Sequence, residues 1–221
     1  MSHFIDFLEQ EFIRIQDSVI AEKQKAYMRN QFEFFGLKAG PRREVSKPFL
    51  EKQYLPHVND LDSLMKNLWN KPEREFQMFA LDLILKYSKS FEEKHLELFE
   101  YLIIHKSWWD TVDVVAVKCV GQYFKKYPTK KDEVITNWLK SDNIWLQRTC
   151  LIFQLKYKTD MDTALLEHCI KTLNGTKEFF INKAIGWVLR EYSRTDANWV
   201  VDFVENNELS HLSKKEALRL L

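Results

Sequence analysis

Two pairs of side chains with chemical potential recur at helical spacing in this chain. Trp109 stands four residues before Asp113, and Lys183 four residues before Trp187. Residues four apart share one face of a helix, so each pair sets an indole beside a charge. Arg148 falls between them, 35 residues from each of Asp113 and Lys183. A carboxylate in such a setting stabilises positive charge that develops beside it and orients a water. Indole faces attract cations and pack on sugar C–H edges, while Arg and Lys hold phosphates. One carboxylate is not the acid–base pair that hydrolyses ordinary glycosides.

The elements that must position these groups are visible as a repeat. EREFQMFALDLILKY (residues 73 to 87), NIWLQRTCLIFQLKY (143 to 157) and EFFINKAIGWVLREY (178 to 192) read almost as copies, ending at Tyr87, Tyr157 and Tyr192. The tyrosines are 70 and 35 residues apart, and WDTVDVVAVKCVGQYF (109 to 124) occupies the intervening place. Repeats of this length signify stacked helix pairs. In the first copy Phe76, Ala80, Leu83, Ile84 and Tyr87 mark one apolar face. Pro72, Glu73 and Glu75 read as its first turn, and Ser213 with Glu216 as a capping box for the last helix. Pro48 should break or kink the helix that follows Pro41. Further amphipathic stretches cover about 92 to 105, 131 to 140 and 161 to 173. The expected architecture is all-α: a right-handed superhelix of antiparallel, HEAT-like helix pairs over residues 1–221, a single domain with a concave binding face.

The period assigns faces. Ala80, Val115, Cys150 and Ile185 form the core line; two residues back, nearly opposite, run Met78, Asp113, Arg148 and Lys183. If the copies stack in register, Trp109, Asp113, Arg148 and Trp187 converge on one surface. Aromatics at helical spacing are usually core, and the plain alternative for Asp113 with Arg148 is an ordinary ion pair. Together, however, aromatics and charges on the outer face fit a binding surface. Its chemistry suits a leaving group that needs no acid, such as an N-alkylated purine, which is already cationic and departs neutral.

At these residues the sequence resembles the AlkD family of bacterial DNA alkylation-repair glycosylases. The resemblance spans the chain and is densest in NKPEREFQ, KSWWDTVD, SDNIWLQR, FQLKYK and KEFFINKAIGWVLREY. It implies a HEAT-like fold, action on 3-methyladenine and 7-methylguanine in duplex DNA, and catalysis with the lesion left stacked. It further implies Asp113 as the catalytic carboxylate, with Trp109 and Trp187 packing on the deoxyribose. Arg148 is implied to contact DNA and Tyr27 to lie beside the lesion. Lys183, Arg190 and Arg43 are read as further DNA contacts, Lys183 to phosphate rather than as a lyase nucleophile. Within GLKAGPRREV (36 to 45), Lys38, Ala39, Gly40 and Pro41 depart from the family pattern.

Composition narrows the rest. Lys+Arg of 33 against Asp+Glu of 32 argues neither for nor against a nucleic-acid partner. No apolar run approaches the roughly 20 residues of a membrane-spanning helix. Three cysteines, Cys119, Cys150 and Cys169, and six scattered histidines lack zinc spacing. Buried thiols, no metal, no cofactor and a monomer in a bacterial cytoplasm are expected. The competing reading is a non-catalytic HEAT-like module that binds DNA structures or protein partners, since fold alone does not decide function.

Overall fold

The computed structural model describes residues 2–221, and the side chains from residue 3. Among the described residues the chain is all-α, with one isolated bridge between Glu33 and Glu73 and no strand. In order the helices are α1 (Ser2–Arg14), α2 (Ser18–Tyr27), α3 (Ala39–Ser46), α4 (Leu61–Asn70), α5 (Arg74–Ile84) and α6 (His95–Ile104). They continue with α7 (Trp109–Val114), α8 (Gly121–Lys126), α9 (Lys131–Lys140), α10 (Ile144–Ile152) and α11 (Thr163–Leu173). The last three are α12 (Phe179–Tyr192), α13 (Ala197–Glu205) and α14 (His211–Ala217). A wide-turned π segment, Val115–Val120, joins α7 to α8 without a break. The helices gather into two compact units that divide between Leu98 and Phe99.

In the first unit α4 packs on α5, whose inner face is buried through Phe76, Phe79, Ala80, Leu83 and Ile84. Glu75 is also buried, and its carboxylate accepts hydrogen bonds from the amides of Phe35, Gly36 and Leu37 at 3.2, 3.0 and 3.0 Å. Desolvation dominates these bonds and raises its pKa. Helix α3 stops at Ser46, and Pro48 lies in a short 3₁₀ turn, Lys47–Leu50, as its fixed φ and missing N–H require. The expected first turn of α5 is corrected at Pro72 alone. The helix begins at Arg74 with Glu73 in the capping position, so Pro72 stays outside it, while Glu75 lies in the first turn as expected and also reaches back to the preceding chain.

The second unit makes the 35-residue period physical. Asp113 pairs with Arg148, Lys125 with Asp160 and Lys156 with Glu191, each across 35 residues. The core line is sealed, Val115, Cys150 and Ile185 being 0, 1 and 0% exposed. A second regularity recurs within each of three copies, α5 of the first unit included. Gln77, Gln147 and Asn182 hold one repeat position and donate to carbonyls just upstream: Lys71 at 2.9 Å, Ser141 at 2.6 Å and Thr176 at 2.8 Å. Each amide satisfies carbonyls at or just beyond the end of the preceding helix, where no intrahelical partner exists.

Helix starts follow side-chain caps. Asn143 accepts from the amides of Trp145 and Leu146 to open α10, and Asp162 from Leu165 to open α11. The expected cap of α14 is corrected by three residues: Ser210, not Ser213, is the N-cap. Ser213 lies inside the helix and donates to the Asn182 carbonyl of α12 at 2.8 Å. This contact is close because of Gly186: a Cβ there would sit 2.5 Å from the Glu216 Cβ and 2.8 Å from the Ser213 carbonyl. All three cysteines are buried free thiols, as composition suggested; burial pushes Cys119 up to about 12.

Candidate active site

Helix α7 opens at Trp109 with Trp108 in the capping position, its backbone extended at φ −158° and ψ 160°. Trp108 packs against Trp145 and Phe180, ring centres 5.8 and 5.1 Å away, and those two rings meet at 4.9 Å. This aromatic wedge locks together the starts of α7, α10 and α12. One turn beyond it, Asp113 and Arg148 face each other across one period.

Their contact is bidentate. Arg148 donates from Nε to Asp113 Oδ1 at 2.7 Å and from Nη2 to Oδ2 at 2.8 Å. Nη1 donates to the Phe180 carbonyl at 2.6 Å, tying the guanidinium to α12 as well. Charge-assisted forks of this kind fix orientation as well as adding energy. The Arg148 side chain is 5% exposed and that of Asp113 16%, so the carboxylate retains an open edge while its orienting partner does not. Burial pushes the Asp113 carboxyl above its ordinary value, against the pull of Arg148; Asp110 adds to the upward shift. Trp187 lies beside the fork, its ring 6.0 Å from the Arg148 guanidinium carbon, and is half-buried, as is Trp109.

The structure thus brings Asp113, Arg148 and Trp187 together, with Trp109 on the same helix as Asp113. Arg148 is a holder of the carboxylate. Its near-complete burial leaves little surface for the DNA contact expected of it. Lys183 and Arg190 flank Trp187 on α12, and both are paired with Glu216 of α14, Lys183 at 2.7 Å. Tyr27, at the end of α2, and Arg43, on α3, are exposed residues of the first unit. Arg42, the neighbour of Arg43, is buried and paired with Asp82 at 2.8 Å. Sequence reasoning missed the Phe180 carbonyl, which carries no side-chain signal, and Glu216, which it used as a cap. No group of three or more His, Cys, Asp or Glu among the described residues is arranged to hold a metal ion.

The sequence pattern of the family described as DNA alkylation repair enzyme matches residues 8–221. The chain belongs to that family. A solved structure of a predicted DNA alkylation repair enzyme from Enterococcus faecalis superimposes with a TM-score of 0.86 at 32% identity, covering 93% of this chain and 96% of that one. A search of curated proteins finds no match. Family membership agrees with the resemblance drawn from the tryptophan-rich segments. It gives the Asp113–Arg148 fork a setting among DNA alkylation repair enzymes. No helix of the described residues is long and apolar enough to cross a membrane.

Proposed function

We propose that the chain is a monofunctional DNA glycosylase that hydrolyses the N-glycosidic bond of cationic N-alkylated purines, 3-methyladenine and 7-methylguanine, in duplex DNA. The observation that carries this reading is the Asp113 carboxylate, held in one orientation by Arg148, partly open, and set among indoles. As the bond to a cationic base lengthens, the base takes the electron pair and leaves neutral, and positive charge moves to the deoxyribose. A fixed anion at that sugar stabilises the charge where it develops and positions a water for attack. Trp109 and Trp187 would pack on the sugar edges, their faces favouring the same cationic character. No leaving-group acid is needed, so a single ionised carboxylate suffices where ordinary glycosidases use two.

These groups suit a sugar and phosphates rather than a base edge. The reading therefore includes catalysis with the lesion stacked in the duplex, selectivity coming from the lability and charge of the lesion. The reading takes one copy of the chain as sufficient to bind duplex DNA.

The test is release of free 7-methylguanine from methylated duplex DNA, comparing wild type with Asp113→Asn. Release by the wild type alone, with the abasic strand left intact, is the expected outcome. No release by either protein, with DNA binding unchanged by the substitution, would assign the chain to the non-catalytic binding class.

A further inference from the structure

Lys183, Trp187 and Arg190 stand at i, i+4 and i+7 on α12, a single stripe with the indole between two cations. Both cations turn to one carboxylate. Glu216 accepts from Lys183 through Oε1 at 2.7 Å and from Arg190 through Oε2, and Arg219 approaches to 4.0 Å. The Glu216 side chain is 11% exposed, whereas those of Lys183, Arg190 and Arg219 are 38, 22 and 68% exposed. Three cations to one carboxylate leave the cluster with an excess of positive charge, and the open atoms belong to the cations. The hydrogen bond from Lys183 is the first cause holding the Glu216 carboxyl below its ordinary value. Helix α14 is brought within reach by the Gly186 contact and the Ser213 bond described above.

We propose that Glu216 is a positioning residue that preorganises Lys183 and Arg190 as a phosphodiester clamp on the two sides of Trp187. This rests on the reading of Trp187 as the residue that packs on a deoxyribose. A nucleotide sugar within a strand carries one phosphate on its 5′ side and another on its 3′ side. Cations seven residues apart span about 10 Å of helix axis, with flexible side chains to close the remaining distance. Left unpaired, Lys and Arg sample many rotamers, and ordering them on binding costs affinity. A buried carboxylate that touches both removes that cost before DNA arrives, and its single charge does not cancel theirs. The C-terminal helix is then part of the DNA interface without touching DNA itself.

The experiment measures affinity for undamaged duplex DNA over a salt series, which requires no base release and so stands apart from the glycosylase assay. Glu216→Gln adds one unit of positive charge to the protein. On simple electrostatics it should bind more tightly. Preorganisation requires the reverse: a Kd raised roughly tenfold and a log Kd–log salt slope reduced by about 1 to 2, each phosphate contact contributing about 0.9. In a Lys183→Met/Arg190→Met background the same substitution should leave Kd unchanged. Tighter or equal binding by Glu216→Gln overturns the proposal, as does an effect that persists when both cations are gone. Should Glu216→Gln fail to fold, Lys183→Met decides: the slope falls by about 0.9, and an unchanged slope refutes the clamp. A protein that binds with this signature yet releases no base would keep the clamp and lose the glycosylase.

Discussion

Arg148→Met removes both hydrogen bonds to Asp113 while leaving most of the apolar bulk in place. Each bond joins two charged groups, at 2.7 and 2.8 Å, and such bonds are worth about 1.5–3 kcal/mol. Removing one partner of a buried pair costs about 3–5 kcal/mol if the survivor stays ionised. Asp113 has another route, because it can take up a proton. Burial already pushes its pKa up and Arg148 is the main force pulling it down, so the variant moves the pKa further up. On the proposed mechanism only the ionised carboxylate works. Base release by the wild type should rise with pH as Asp113 loses its proton and then level off. In Arg148→Met the inflection moves to higher pH. If about 3 kcal/mol of carboxylate stabilisation is lost, the inflection moves up by about 2 pH units; release falls roughly 100-fold at pH values below both inflections and recovers as pH rises through the shifted one.

The assay is single-turnover release of 7-methylguanine from methylated duplex, with the spontaneous rate subtracted at each pH. Duplex affinity and Tm are measured on the same samples, since the Phe180 carbonyl also loses its donor. An unshifted inflection would refute the argument that Arg148 holds Asp113 ionised. A loss equal at every pH and matched by weaker binding would transfer Arg148 to the DNA interface.

Three further outcomes follow from the packing. Glu75→Ala strands three amides of the Phe35–Leu37 turn; at about 1–3 kcal/mol for each unsatisfied group the chain should lose about 3 kcal/mol or more. At 2–4 °C per kcal/mol that is roughly 10 °C of Tm, and a change under about 2 °C would show the turn held by other means. Gly186→Ala puts a methyl into the α12–α14 contact, and overpacking of about 1–3 kcal/mol should lower Tm by several degrees. Glu216 has a lowered folded pKa, so its stabilisation is complete above its ordinary value of 4.5 and is lost as pH falls through the folded value. The Tm gap between wild type and Glu216→Gln should therefore narrow on acidification; a gap that widens or stays constant contradicts the ion-pair assignment.

Much of the fold was legible because helices are written in short-range periodicity. Ala80, Val115, Cys150 and Ile185 could be aligned by counting, and every one is sealed from solvent. Counting also set Asp113 opposite Arg148, since stacking copies in register makes residues one period apart neighbours. It failed where a single residue enters the repeat. Gln122 stands where the other copies have Tyr87, Tyr157 and Tyr192, yet the buried residue is Tyr123. The buried pairs Thr111–Val112, Val115–Ala116, Cys119–Val120 and Tyr123–Phe124 advance by four. A regular helix overshoots by about 40° at each such step, and the π segment that starts two residues after Asp113 absorbs the drift.

The sequence alone determined helix content, the period, the core line and the identities of the carboxylate and its arginine, because each rests on local spacing or on the period. Tertiary structure decided what those groups are in energetic terms. Asp113 is raised rather than depressed because desolvation, a property of everything packed around it, outweighs one arginine. Arg148 is a holder because a backbone carbonyl from α12 takes its third donor. Lys183 and Arg190 are paired because α14, distant in sequence, brings Glu216 to them. Periodicity specifies which face a residue occupies; burial and charge pairing depend on which other faces arrive there, and that information is not local.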